Sequence, residues 1–482
     1  MNIKSVSVFF LLFVFSSSIG RAQSLQETVN KFVAHPEFEH ASISIYAVDV
    51  TTKQVLMDYG GGRLLAPAST TKLFSTALAL DVLGGDYRPV TSLYYNGTVK
   101  DSVLTGDVWI IGGGDMSLGS KYFVKNNRDG FLREWAVELK KKGIGRINGT
   151  IYVDGSGFGY QGVPDDWLWG DIGNYYGAHF SGVMIYDNLL EYHFKTGAAG
   201  KPTELLYTFP KVDSLQFLNN VVSSTKSGDN SYIFGAPYLY VREGRGTLPQ
   251  NTADFMVKGS LPDPESQLGS EFSRVLVEMG IIHSGQSRST RVAKTSPPTG
   301  TWSKVTEYKG KTIKEIARET NYESINVFAE GLMRLTSYVK TGDGTHEKSS
   351  DYMQSYWKEK LKTSALFLSD GSGLARTNAI DAKTMCELLI YMNTSAGKTE
   401  FYNSLPVSGV SGTLKNVAKN QVAHGKIHAK SGTMRRTKSY AGYAETTSGR
   451  KIAFAFIANN YTGSSKDVTT QMELLMNELV KQ

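Results

Sequence analysis

The chain has 482 residues, 40% of them hydrophobic and 20% charged, a balance that supports a large buried core and, at this length, two or three domains. Its formal charge of +7 counts Lys4 and Arg21 near the start and is otherwise spread thinly; the longest basic run, Lys140 to Lys142, reads as the solvated end of a helix. Nucleic acid as a partner would require clustered Lys and Arg interleaved with aromatics, which this sequence lacks.

In chain order, Met1 to Ala22 places Lys4 ahead of an apolar run from Val6 to Phe15 and ends on Gly20, Arg21, Ala22. This is the pattern of a secretory signal cleaved near Ala22/Gln23, and it predicts a periplasmic or otherwise secreted mature protein. The apolar run is too short to span a bilayer, and no later stretch reaches the ~20 apolar residues of a membrane helix, so at most peripheral membrane contact is expected. A short helical pattern, Gln26 to Phe32, leads into strands at Ala41 to Val48 and Gln54 to Tyr59. Pro67 then precedes Ser69, and Lys72 to Leu83 carries Leu73, Ala77, Leu80 and Leu83 at helical spacing before Gly84 and Gly85.

From Asp86 to Gly300 the sequence is dense in Gly, Tyr and Thr, with strand-like runs at Val108 to Ile111, Gly149 to Val153 and Tyr238 to Val241. The C-terminal part predicts one helix from Ile313 to about Thr336 and another around Ala382 to Met392. Strands follow at Gly425 to Ala429, Ser439 to Glu445 and Lys451 to Ala458, then a last helix, Asp467 to Leu479, with Leu474, Leu475 and Leu479 on one side. Cys386, the single cysteine, cannot form an internal disulfide and lies in an apolar helical pattern that marks a buried structural thiol. The expected organisation is a signal over 1–22 and an α/β catalytic domain in two parts, 23–85 and 301–482. A large, mostly β insertion over 86–300 separates them.

A serine hydroxyl needs a base to remove its proton, and a lysine three residues later on a helix lies one turn away on nearly the same face. Ser69, Thr70, Thr71, Lys72 has this spacing, as do Ser223 with Lys226, Ser337 with Lys340, Ser355 with Lys358, Ser395 with Lys398 and Ser448 with Lys451. What sets Ser69 apart is Pro67, small Ala68 and the apolar helix behind, which would put backbone N–H groups and the positive helix end at the nucleophile. A lysine base must be neutral part of the time, and a second lysine nearby would help. Lys followed by Ser or Thr and then Gly occurs at Lys195, Lys226, Lys340 and Lys430. Only Lys430 follows a strand pattern and precedes an apparent hairpin, an edge on which an extended peptide could add as a strand. Ser324, Ile325, Asn326 places a hydroxyl and an amide two residues apart at the start of a helix; capping is the ordinary reading of either alone.

The order Ser-x-x-Lys, Ser-x-Asn, Lys-[Ser/Thr]-Gly resembles that of serine β-lactamases and penicillin-binding proteins. The chain resembles the class C low-molecular-mass penicillin-binding proteins, D-alanyl-D-alanine carboxypeptidases and endopeptidases. Gly113 to Asp115, the aromatic run Trp167 to Tyr176 containing Asp171, Asp370 to Leu374 with Arg376, and Leu405 to Leu414 also match, as does the long insertion. Ser431 stands where the family more often has Thr, and Met434 and Arg435 fall where substrate-contacting residues vary. The resemblance implies a transpeptidase-like fold, an antiparallel sheet flanked by helices. It also implies Ser69 as nucleophile, Lys72 as base, Ser324 as proton relay, Asn326 on the substrate amide, and Lys430 with Ser431, Gly432 and Thr433 on the terminal carboxylate. Asp171 and Arg376 would contact the stem peptide; a turn-capping Asp and a surface Arg are their ordinary readings.

The implied partners are peptidoglycan peptides, with β-lactam antibiotics as covalent inhibitors. No cofactor or metal is implied, since the eight histidines show no His-Glu-x-x-His spacing, and nothing in the sequence sets an oligomeric state. A secreted serine β-lactamase and a catalytically idle cell-wall binding protein are the competing readings. The insertion and Ser324, where the nearest β-lactamases usually carry Tyr, weigh against the first, and the complete set of motif residues weighs against the second.

Overall fold

The structure, a computed structural model, describes residues 25–300 and 302–482; the signal expected over 1–22 lies outside them. The chain divides into two compact units: one comprises the segment up to Ala77, Arg318–Ser324 and Met353–Gln482, the other Leu78–Ala317 and Ile325–Tyr352.

The first unit is built on five strands, β1 (Ser42–Asp49), β2 (Val55–Tyr59), β3 (Ile427–Met434), β4 (Thr437–Glu445) and β5 (Lys451–Asn459). They pair antiparallel in the order β2-β1-β5-β4-β3. Central β5 reads Ile-Ala-Phe-Ala-Phe-Ile-Ala with nearly every residue buried, because helices cover both faces of the sheet. On one face Phe454, Phe456 and Ala458 pack against Leu25, Val29 and Phe32 of the first helix and Met472, Leu475 and Leu479 of the last, Ser465–Val480. Each large side chain buried there contributes about 1.5–3 kcal/mol. Leu474, expected beside Leu475 and Leu479, is instead exposed. On the other face lies helix Ala382–Met392, where Cys386 is fully buried and its thiol donates to the Tyr46 carbonyl.

β3 forms an edge of this sheet. Its first half is covered by the loop around Pro406, with Ala429 N–H donating to Pro406 O (3.0 Å) and Ser408 N–H to Ile427 O (2.9 Å). The strand reaches Met434, well beyond the expected end at Ala429, so that Lys430, Ser431, Gly432 and Thr433 are strand residues.

The expected single helix from Ile313 to Thr336 is two, Ile313–Tyr322 and Asn326–Thr341. The break falls at Ser324, whose φ of 61° is left-handed and incompatible with a continuing right-handed helix. Apolar periodicity continues across it, so the sequence pattern does not register the interruption.

The second unit is rich in strands, gathered among the described residues in four sheets, three of which mix parallel and antiparallel pairs while one is wholly antiparallel. Two helices that the Gly, Tyr and Thr content concealed, Gly130–Lys141 and Pro264–Glu278, pack against each other. The first carries a clear stripe, Phe131, Leu132, Trp135, Ala136 and Leu139, all buried, and ends on Lys140 and Lys141, as the basic run suggested.

Glu265, in the first turn of the second of these helices, is 1% exposed and packs against Gly155; Oε1 accepts from Ser181 Oγ (3.0 Å), while Oε2 has no hydrogen-bond partner among the described residues. Burial, followed by the neighbouring Asp263 charge, pushes its carboxyl up to about 8 from an ordinary 4.5. Between those values the folded state holds a proton that the unfolded chain has released. The stabilisation is therefore complete below 4.5 and lost as pH rises through about 8. Thermal unfolding should show a midpoint that declines over this range, and Glu265→Gln, a permanently neutral isostere, should flatten the decline; an unchanged slope would assign it to other groups.

Candidate active site

Pro67 caps a 3-10 turn, Ala68–Thr71, that runs directly into helix Lys72–Val82, placing Ser69 at a helical N-terminus. Ala68 holds a left-handed φ of 49°, a conformation costing about 1–3 kcal/mol for a residue with a Cβ. Local hydrogen bonds hold the turn: Thr70 Oγ1 donates to Pro67 O (2.7 Å), Thr71 Oγ1 to Ala68 O (2.9 Å), and Ser439 Oγ, from β4, to Pro67 O (2.5 Å).

Lys72 is fully buried, and its Nζ donates to Ser69 Oγ at 2.9 Å and to the Ser372 carbonyl at 2.7 Å. The Ser372 carbonyl belongs to a tight loop organised by buried Asp370, whose carboxylate accepts from Gly373 N–H (2.7 Å), Ala375 N–H (2.7 Å) and Asn378 Nδ2 (2.8 Å). Gly373, at φ 82°, must be glycine: a Cβ there would stand 1.9 Å from the Ala68 carbonyl.

The second lysine–serine pair forms across the sheet edge. Lys430, fully buried on β3, donates to Ser324 Oγ at 2.9 Å and to its neighbour's carbonyl, Ser431 O, at 2.8 Å. Burial pushes its amine well below the usual lysine range, and the Lys72 and Lys438 charges push in the same direction. Nearby Asn321 Nδ2 donates to Thr76 Oγ1 (3.1 Å) and Ser404 Oγ (2.8 Å), anchoring the short segment that carries Ser324.

Gly432 is where the third motif meets the first. A Cβ on it would lie 2.2 Å from Ser439 Oγ, 2.7 Å from Pro67 O and 3.0 Å from Ser69 N. Glycine thus lets β3 pass directly beside the serine's backbone. A cleft of about 690 Å³ opens there, lined by Ser69, Ser324, Ser431 and Thr433. Ser431 Oγ donates to Thr413 Oγ1 (2.9 Å) on its wall.

The first unit therefore brings together Ser69, Lys72, Ser324, Lys430, Ser431, Gly432 and Thr433. Arg376 belongs to the same unit, exposed just after the Asp370 loop, and is not among the residues lining the cleft. Asn326 and Asp171 belong to the second unit: Asn326 Nδ2 donates to the Tyr176 carbonyl (2.7 Å), and Asp171 Oδ1 accepts from Tyr176 Oη (3.2 Å). Sequence reading missed Lys438, whose Nζ donates to Thr433 Oγ1 (3.0 Å), as well as the Ser372 carbonyl and Asn321. Lys438 was detectable in principle, since antiparallel pairing of the apparent hairpin sets it opposite Thr433.

An antiparallel sheet flanked by helices carries, at one helix start, a serine bonded to a buried lysine, an arrangement compatible with a serine hydrolase. The sequence model of the D-Ala-D-Ala carboxypeptidase 3 (S13) family matches residues 25–479, and the chain belongs to that family of serine peptidases. It is similar to a D-alanyl-D-alanine carboxypeptidase of Actinomadura sp. (strain R39), at 26% identity over 93% of this chain and 83% of the relative. Penicillin binding protein 4 (dacB) from Haemophilus influenzae shares the fold with a TM-score of 0.80 at 22% identity, covering 96% and 99% of the two chains. The same protein complexed with a β-lactam superposes with a TM-score of 0.72 at 20% identity, covering 92% and 96%.

Replacing Gly432 with Ala should push β3 away from Ser69. A displacement of order 1 Å costs about 100-fold in rate, so hydrolysis of a D-Ala-D-Ala-terminated peptide by folded Gly432→Ala should fall by about that factor; a rate within a fewfold of the parent would refute the close-approach argument.

Proposed function

We propose that this serine D-alanyl-D-alanine carboxypeptidase acts on peptidoglycan stem peptides, with an additional endopeptidase action on their cross-links, through an acyl-enzyme on Ser69. The observation that carries this reading is the double pairing at one cleft: Lys72 Nζ on Ser69 Oγ and Lys430 Nζ on Ser324 Oγ, each at 2.9 Å.

Lys72 in its neutral form takes the Ser69 proton as Oγ attacks the carbonyl of the penultimate D-alanine. Backbone N–H groups of Ser69 and Thr433 hold the oxyanion. The Lys72 charge, after burial itself, disfavours the charged form of Lys430. Ser324, held by Lys430, passes a proton to the departing amine, and the C–N bond breaks. Water then takes the place of the amine, giving its proton back through the same groups and releasing the acyl chain from Ser69.

Asn326 holds the substrate amide, Ser431 and Thr433 grip the terminal carboxylate, and Asp171 and Arg376 contact the stem. The organisation that goes with this is a catalytic domain in two parts, 23–85 and 301–482, interrupted by an insertion over 86–300. A β-lactam enters the same cleft as a strained amide with a carboxylate and acylates Ser69. The leader-like Met1 to Ala22 supports export to the periplasm or beyond, where the substrate lies; among the described residues no helix is long and apolar enough to cross a membrane.

Ser69→Ala should abolish both release of D-alanine and labelling by fluorescent penicillin, with a loss of ~10⁴-fold or more. Retention of both activities would remove Ser69 from the mechanism. A penicilloyl adduct that persists for minutes on the parent enzyme is the expected signature of a peptidase; release within a second would mark a β-lactamase.

A further inference from the structure

The cleft continues past the reacting serines. Beyond Thr433 it runs between β4 and the last helix, with Asn416, Lys438, Tyr440, Lys466 and Thr470 on its walls. The mechanism above uses none of these five.

Lys438 occupies the junction between the two halves. Its Nζ is 3.0 Å from Thr433 Oγ1 and 5.3 Å from the centre of the Tyr440 ring, and the side chain is half-buried. An ammonium can only donate, so Thr433 Oγ1 is the acceptor in this bond, and the hydroxyl's own hydrogen is free to serve a second acceptor. The arrangement sets two donors, one charged and one neutral, side by side on the wall of one cleft. The other cations nearby are differently placed. Lys72 and Lys430 are bonded to Ser69 and Ser324, and Lys466 is exposed at the rim. Glu473, also on the cleft wall, accepts from Ala418 N–H (2.9 Å) and Gln421 Nε2 (2.7 Å). Burial lowers the Lys438 amine to about 8, so it is still predominantly charged at neutral pH, and its partial desolvation strengthens any bond to an incoming anion.

We infer that Lys438 is a specificity-determining residue that binds the free carboxylate of the leaving D-amino acid, sharing it with the Thr433 hydroxyl. The inference rests on the carboxypeptidase reading above and assigns one of its requirements, recognition of a chain end, to one side chain. A carboxylate bridging Lys438 and Thr433 would lie in the cleft that Ser69 and Ser431 also line.

The test compares two acylated D-Ala-D-Ala peptides, one with a free C-terminal carboxylate and one with a C-terminal carboxamide. The parent enzyme should prefer the acid, and Lys438→Met should lower the acid-to-amide ratio of kcat/KM by about 10- to 100-fold, the loss expected for one charge-assisted hydrogen bond, chiefly through KM. Lys438→Arg should restore most of the ratio. Equal losses on both peptides, or no change on either, would overturn the assignment, since a purely structural role moves both together. If Lys438→Met does not fold, the parent enzyme decides: equal turnover of acid and amide overturns the inference. A parent enzyme that hydrolyses neither peptide and takes no penicillin label would instead refute the carboxypeptidase reading itself.

Discussion

Everything at this site depends on holding two lysine side chains, each fully buried, beside serine hydroxyls. Removing an ammonium from water costs several kcal/mol unless it is neutralised or fully hydrogen-bonded. Lys72 donates to the Ser69 hydroxyl and the Ser372 carbonyl, and Lys430 to the Ser324 hydroxyl and the Ser431 carbonyl. Burial, with the neighbouring Lys72 and Lys438 charges acting in the same direction, displaces the Lys430 amine well below its usual range. A carboxylate in place of either carbonyl would stabilise the cation and remove the base.

That constraint explains the strain around the site. To present its carbonyl to Lys72, the Ser372 loop is tied by Asp370 and pressed against the serine turn so closely that Gly373 meets the Ala68 carbonyl. Ala68 and Ser324 both adopt left-handed backbone conformations. Such conformations persist only where the surroundings over-determine them, and here the surroundings are the central sheet, buried on both faces, and the helices that cover it. Gly432 serves the same end from the strand side, since any side chain there would separate β3 from Ser69.

The elements of the first unit were largely legible in the sequence because each carries an undisturbed period: Ile43, Ile45 and Ala47 in β1, Ala382 to Met392 in its helix, and the apolar run of β5. The errors came where backbone conformation departs from what side-chain pattern reports. The helix break at Ser324 leaves the apolar spacing intact, and β3 continues through Lys430 and Gly432, residues that propensity disfavours in a strand. In the second unit, the stripe of Phe131, Leu132, Trp135 and Leu139 was hidden by the Gly, Tyr and Thr content around it.

What the sequence by itself determined was a set of candidate groups and their local spacing: a serine one turn before a lysine, a Ser-x-Asn triplet, and a Lys-Ser-Gly run. Local spacing is decided by the geometry of helix and strand, which any short segment obeys. Spacing alone did not choose among repeats such as Ser223 with Lys226 or Ser448 with Lys451; the Pro67, Ala68 and apolar-helix context singled out Ser69, and the tertiary structure decided which distant groups meet it. Only folding sets the start of a helix at 69, a left-handed serine at 324 and a strand edge at 430 around one cleft, with Lys438 added from the neighbouring strand. Proximity between residues hundreds of positions apart depends on how the sheet and its helices pack, and that information is spread over the whole core rather than written at any one motif.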